Sequence, residues 1–287
     1  MSAPVGRRAA VLGHPIAHSL SPVLHRAAYR ALGLDTWSYE AVDVTEDGLP
    51  GFVAGLGDDW AGLSLTMPLK QTVLPLLDHV EPLAQVVGAV NTVLVQGAGS
   101  ARTLVGANTD VHGIVAALRE GLGPERRIAS AAVLGAGATA ASTLAALAEL
   151  GCTAPSVLVR SVQRAGGLMR AAHRMGVEPT FGPLEDGAAV LGRVDAVVST
   201  LPPHAADDLA AGLTMSDGRA PSGVLLDVAY DPRPTALHAR WQDLGGTAVR
   251  GERMLLHQAV EQVRLMTGLA GPVAEMDRAL EDALARS

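Results

Sequence analysis

Between positions 131 and 140 the chain reads Ala-Ala-Val-Leu-Gly-Ala-Gly-Ala-Thr-Ala, and an alanine-rich stretch follows as far as Leu150. Four apolar residues thus pass through a glycine turn straight into a helix. A strand, turn and helix joined this tightly form the first half of a βαβ unit, and such units assemble parallel sheets covered by helices. Each small residue has its own task. Gly135 makes the tight turn, Gly137 lets the backbone approach a pyrophosphate, and Ala140 lets the helix pack close to the sheet. The helix N-terminus then offers N–H groups and a partial positive charge to phosphate. Nucleotide binding is the expectation. The bland alternative is a tight turn in an Ala- and Gly-rich chain.

The rest of the chain continues the alternation. Downstream, Ser156 to Val159, Asp195 to Thr200 and Gly223 to Val228 read as strands and Val162 to Met175 as a helix, a spacing that predicts a parallel sheet. Upstream, Ala9 to Gly13 reads as a buried strand, and Ser21-Pro22 starts a helix with Ser21 as N-cap that Gly33 stops. Trp37 to Val44 and Ala61 to Thr66 read as strands, the second leading through Met67-Pro68 into a helix that carries Lys70. Val90 to Val95 and Arg102 to Val105 read as a hairpin, Asp110 to Glu120 as a helix at a domain boundary, and Met254 to Arg286 as two helical segments broken near Gly268 to Pro272. A length of 287 residues fits one large domain or two of ordinary size.

Composition excludes several function classes. A net charge of −7 argues against a nucleic-acid surface. The single cysteine, Cys152, excludes an internal disulfide framework and a multi-thiolate metal site, and its place after Gly151 suggests a buried structural thiol. His14 and His18 lack the spacing and carboxylate partner of zinc ligands, so no metal is expected. No apolar run reaches membrane-spanning length, and polar residues interrupt the N-terminal apolar stretch too early for a signal peptide. The expectation is a soluble cytoplasmic protein, monomeric or homodimeric, acting on a small molecule.

The chain has 22 basic residues, of which Lys70 is the only lysine; Asn91 and Asn108 are the only asparagines. All three lie in short polar motifs: Thr66-Met67-Pro68-Leu69-Lys70, Asn91-Thr92 and Asn108-Thr109-Asp110. An ammonium exchanges protons where a guanidinium in practice does not. Lys70 with Asp110 is therefore the candidate acid/base pair, the plain alternative being a surface salt bridge of little worth. Ser19 and Ser21 put two hydroxyls at one helix start. Asn91, in an apolar context, reads as a ligand-facing amide, whereas Asn108 reads equally well as a turn residue.

The strand after the glycine loop discriminates between nucleotides. It ends in Val159-Arg160-Ser161, with Arg164 following, where an NAD site normally carries a carboxylate for the ribose 2′-hydroxyl. Two guanidiniums and a hydroxyl suit a 2′-phosphate, so NADP(H) is expected. A solvated arginine face is the alternative, since Arg170 and Arg174 continue the series.

Taken together, these motifs resemble the shikimate dehydrogenase family. The matching residues are Gly13 to Pro22, Thr66 to Lys70, Gly88 to Thr92, Asn108 to Asp110, Gly135 to Ala140, and Gly251 with Met254, Leu255 and Gln258. The resemblance implies reduction of 3-dehydroshikimate to shikimate with NADPH. It implies an α/β substrate domain over residues 1–110 and a Rossmann-like dinucleotide domain over 111–250. C-terminal helices over 251–287 would return to the first domain. By position, Lys70 and Asp110 take the catalytic places, and Ser19, Ser21, Thr66, Asn91, Tyr230 and Gln258 the substrate contacts. Gly135, Ala136, Gly137, Ala138, Thr139, Arg160, Ser161 and Arg164 take the cofactor phosphates, and Val228, Gly251 and Met254 the nicotinamide side. Three positions depart from the family pattern. Val159 replaces the Asn of an Asn-Arg-Thr motif, Ala138 a common third glycine, and Ser64 the Asn two residues before Thr66. The resemblance leaves two other readings: a quinate/shikimate or related cyclohexane-carboxylate dehydrogenase, and a non-catalytic ligand sensor of the same fold.

Overall fold

A computed structural model of the chain describes residues 6–123, 126–214 and 220–286. Two compact units emerge, one of Met1–Thr109 with Leu256–Ser287 and the other of Asp110–Leu255.

The strands of the first unit are β1 (Arg8–Gly13), β2 (Ser38–Asp43), β3 (Trp60–Leu65), β4 (His79–Val80), β5 (Thr92–Gln96) and β6 (Thr103–Ala107). Its helices up to Thr109 are α1 (Ser21–Ala31), α2 (Leu49–Ala54), α3 (Leu69–Thr72) and α4 (Pro82–Val87). The sheet runs β2-β1-β3-β5-β6-β4. β1 pairs in parallel with β2 and β3, whereas β5 is antiparallel to β3 and β6. Alternation along β1 separates two cores. Ala10 and Leu12 join Leu63, Leu65 and Val93 on one face. Ala9 and Val11 join Ile16, Tyr29 and Tyr39 on the other. Apolar burial on both faces explains why the strand is a continuous apolar run.

The second unit holds β7 (Ala131–Leu134), β8 (Ser156–Val159), β9 (Thr180–Pro183), β10 (Ala196–Ser199), β11 (Val224–Asp227) and β12 (Thr247–Arg250). Their order is β12-β11-β10-β7-β8-β9, and every pairing is parallel. Chain order reverses direction between β7 and β10. That is the topological switch point, where open α/β sheets bind ligands at the carboxyl ends of their strands. Packed around this sheet are α5 (Asp110–Leu122), α6 (Ala138–Glu149), α7 (Gly166–Met175), α8 (Gly187–Val190), α9 (Asp207–Gly212) and α10 (Ala236–Asp243). Trp241, fully buried, anchors α10 on Leu225 and Val197. α11 (Gly251–Thr267) starts in this unit and finishes in the first, where α12 (Val273–Leu284) packs on α1.

Several local expectations need correction. Ser21 is not an N-cap: it is the first helical residue, and no side chain caps α1 from Leu20. Ser19 takes part of that role, its Oγ accepting from Ser21 N at 3.3 Å. The stretch from Val162 to Met175 is not one helix but a 3-10 turn, Val162–Arg164, followed by α7; the backbone leaves helical geometry at Ala165, and the Gly166-Gly167 pair, poor in helix propensity, opens α7. Arg102 lies outside β6, which runs on to Ala107. Cys152 is a buried free thiol, as expected. Among the described residues no helix is long and apolar enough to cross a membrane.

One histidine is wholly inside. His25 stacks on Tyr39 with ring centroids 3.9 Å apart, and Tyr29 meets it edge-on at 6.0 Å. Burial lowers its pKa from 6.5 to about 3, against a smaller opposing effect from its hydrogen bond to Gln262. The fold therefore keeps His25 neutral, while the unfolded chain takes up a proton there below pH 6.5. Because the unfolded state binds more protons, stability falls as pH drops from 6.5 towards 3, by up to about 1.4 kcal/mol per pH unit from this group. His25→Phe keeps an aromatic ring and removes the titration. Urea unfolding at pH 7, 5.5 and 4.5 should give a shallower fall for the variant; equal slopes would show that His25 does not titrate in this way.

Candidate active site

In the first unit the site grows from three strand ends. Backbone bonds from Thr66 N to Leu12 O (2.9 Å) and from His14 N to Met67 O (3.1 Å) bring the ends of β1 and β3 together. Leu69 N donates to Thr66 O at 2.8 Å, starting α3 and presenting half-buried Lys70 one turn beyond Thr66. Val90 N donates to Lys70 O at 2.8 Å. The only lysine is therefore tied through its own backbone to the segment that carries Asn91.

Asn91 is 2% exposed, and its carboxamide is held on both sides. Its Oδ1 accepts from Thr109 N (2.7 Å) and from Thr92 Oγ1 (2.9 Å). Its Nδ2 donates to Thr109 Oγ1 at 2.9 Å and to Gln258 Oε1 at 3.4 Å. Asn91 and Gln258 thus meet although 167 positions separate them. Asn108 is a fastening amide, donating to Ala89 O at 2.9 Å. Asp110 follows Thr109 directly and opens α5. Ser19 is half-buried; Ser21 is buried and hydrogen-bonds Tyr39.

Behind Asn91 lie groups that reading the sequence did not single out as functional. Gln262 Nε2 donates to Thr92 Oγ1 at 3.0 Å and to Asn91 O at 3.3 Å. Its Oε1 accepts from Ser64 Oγ at 2.8 Å and pairs with His25 Nε2 at 3.2 Å. Tyr39 OH donates to Ser64 at 2.6 Å, and burial pushes its phenol pKa upward. The available signal was spacing. Gln262 stands four residues after Gln258 and therefore on the same helix face.

In the second unit the glycine loop lies at the switch point. Gly135 has φ +110°, and a Cβ there would sit 2.6 Å from Thr200 Oγ1 at the end of β10. Gly137 is the extended N-cap residue of α6, no side chain caps that helix, and Ala136, Ala138 and Thr139 surround the start of it. Open N–H groups and a glycine cradle fit a dinucleotide pyrophosphate. Arg160 is exposed immediately after β8, and Ser161 and Arg164 lie in the turn that follows, Arg164 also exposed. Ser161 Oγ donates to Gln163 Oε1 at 3.0 Å.

At the end of β11 a buried carboxylate organises the next loop. Asp227 Oδ2 accepts from Thr235 Oγ1 at 2.6 Å, and Thr235 in turn caps α10 by accepting from His238 N. Ala229 N reaches Asp227 Oδ1 at 3.4 Å. Burial raises the Asp227 pKa, while Thr235, Ser199 and Ala229 pull the other way. The loop so fastened carries Val228 and Tyr230, whose phenol is pushed up by burial with Glu252 and Asp231 nearby. Gly251 opens α11 against this strand end, and a Cβ there would fall 2.5 Å from Val228 O. Met254 is buried one turn along α11, and Arg253 next to it forks onto Glu120 at 2.7 and 2.8 Å.

Comparison with known proteins shows the family. Residues 11–93 match the family model of the shikimate dehydrogenase substrate binding domain, and residues 251–281 that of the shikimate 5'-dehydrogenase C-terminal domain. A shikimate dehydrogenase (NADP(+)) of Geobacter sp. (strain M21) is 37% identical over 282 residues, covering 96% of this chain and 94% of the relative. The crystal structure of shikimate 5-dehydrogenase from Thermus thermophilus in complex with NADP(H) and shikimate superimposes with a TM-score of 0.79 at 36% identity, covering 96% of this chain and 99% of that one. Quinate dehydrogenase from Corynebacterium glutamicum, in complex with NAD, superimposes with a TM-score of 0.83 at 30% identity, covering 96% and 99%. The chain belongs to the shikimate dehydrogenase family.

Proposed function

We propose that this protein is a cytoplasmic NADP-dependent shikimate dehydrogenase that interconverts 3-dehydroshikimate and shikimate. The observation that carries the reading is the meeting of Asn91 with Gln258, next to the segment whose backbone is bonded to Lys70. A polyol ring needs several fixed polar partners of this kind, and family membership names the polyol.

The bound cofactor supplies or takes up a hydride. The chain itself does the rest. Reduction of a ketone builds negative charge on the carbonyl oxygen, and Lys70 as an ammonium stabilises that charge and gives a proton to the oxygen. Asp110 is the second member of the acid/base pair. Asn91, Gln258 and Thr66 hold ring hydroxyls, and Ser19, Ser21 and Tyr230 hold the carboxylate. The loop from Gly135 to Thr139 takes the pyrophosphate, and Arg160, Ser161 and Arg164 take the 2′-phosphate. Val228, Gly251 and Met254 flank the nicotinamide. The arginine pair at the end of β8 favours NADP over the NAD of the quinate dehydrogenase neighbour.

Two variants test these roles. Lys70→Ala should lower kcat by about 10²–10⁴ with a much smaller change in the KM for shikimate; an unchanged kcat would remove Lys70 from the chemistry. Replacing both Arg160 and Arg164 by Ser should raise the KM for NADP⁺ by about tenfold or more, the worth of a charged hydrogen bond, and leave the KM for NAD⁺ nearly the same. Equal effects on both cofactors would mean that these arginines do not read the 2′-phosphate.

A further inference from the structure

The polar groups behind Asn91 form a directional chain. Tyr39 OH donates to Ser64 Oγ, and Ser64 donates to Gln262 Oε1. A carboxamide oxygen only accepts, so His25 Nε2, 3.2 Å away, carries the proton. His25 Nδ1 is then the bare nitrogen, and it is buried without a hydrogen-bond partner among the described residues. With its oxygen so occupied, Gln262 turns its NH₂ towards Thr92 Oγ1 and Asn91 O. Thr92, accepting from Gln262, passes its own proton to Asn91 Oδ1. Thr109 N, which only donates, fills the other side of that oxygen. The NH₂ of Asn91 is left facing Thr109 Oγ1 and Gln258.

We propose that Gln262 is a positioning residue that fixes Asn91 as a hydrogen-bond donor in the substrate site, through Thr92 and the one-way chain from Tyr39 and Ser64. The proposal rests on the reading of Asn91 as a substrate contact. Ser64, Gln262 and Asn91 each bond to two or more distant stretches of chain, so none is a local capping group. Ser64 gains a role here as well. The small hydroxyl that stands where the family often has Asn is the link between Tyr39 and Gln262. The 3.4 Å bond from Asn91 to Gln258 is the longest in the set.

The test compares Gln262→Glu, Thr92→Val and Asn91→Ala with the parent enzyme. Each is assayed for kcat and for the KM of shikimate and NADP⁺, with thermal melting to verify folding. Glu at 262 keeps the acceptor for Ser64 and His25 but replaces the donor to Thr92 by an acceptor, so the Thr92 proton turns away from Asn91. Val at 92 removes that proton with almost no change of shape. Both should raise the KM for shikimate about tenfold, the worth of one hydrogen bond, with the KM for NADP⁺ within about twofold of the parent. Combining Thr92→Val with Asn91→Ala should add nothing to Asn91→Ala alone, because both act through one amide. If Asn91→Ala raises the shikimate KM and the other two lower only the melting temperature, Gln262 is structural and the inference fails. If Asn91→Ala itself leaves the shikimate KM unchanged, the substrate reading of Asn91 fails and takes the inference with it.

Discussion

One buried carboxamide organises the first unit. Asn91 joins the start of β5, the end of β6 and the face of α11, three segments far apart in the chain. A buried amide left unpaired costs on the order of 1–3 kcal/mol, so each of these segments is held to a narrow range of positions by the need to satisfy it. Lys70 is fastened to the same place by the bond from Val90 N to its carbonyl. Asp110 follows in the chain, one residue beyond the Thr109 that grips Asn91. The polar residues of the site are thus positioned by hydrogen bonds among themselves as much as by the sheet beneath them.

The second unit works by a different constraint, close backbone approach. At Gly135 and Gly251 a Cβ would fall within 2.6 Å of a neighbouring atom, in one case Thr200 Oγ1 and in the other Val228 O. The first contact lies at the switch point between β7 and β10, and the second closes the start of α11 onto the end of β11. Asp227 then fixes the loop that leaves β11 by bonding to Thr235, the cap of the following helix.

Sequence made some of this legible and hid the rest for physical reasons. The span of β8 is Ser156–Val159 as read, because a central strand is a short apolar run between turn residues. The edge strands β9 and β12 escaped notice, since exposed edges need no apolar run and β9 even contains Gly and Pro. Ser21 carried the expected N-cap chemistry but sits one residue inside the helix, and the hydroxyl that accepts its N–H belongs to Ser19. Lys70, Asn91 and Gln258 stood out through rarity and resemblance. Gln262, Tyr39 and His25 did not, and Ser64 showed only as a departure from the family pattern, because a buried polar chain has no local pattern: its members sit in β2, β3, α1 and α11. Only the four-residue step from Gln258 to Gln262 hinted at a shared face.

The measurement that bears most directly on the account is a spectrophotometric assay of cofactor reduction with shikimate and with quinate, each beside NADP⁺ and NAD⁺. The residues at the end of β8 and around Asn91 predict fast turnover with shikimate and NADP⁺ and little with the other three combinations. Turnover mainly with quinate or with NAD⁺ would contradict the assignment of Arg160 and Arg164 and the choice of substrate. Binding of shikimate without turnover of any pair would contradict the catalytic role of Lys70 and Asp110 and make the protein a ligand sensor.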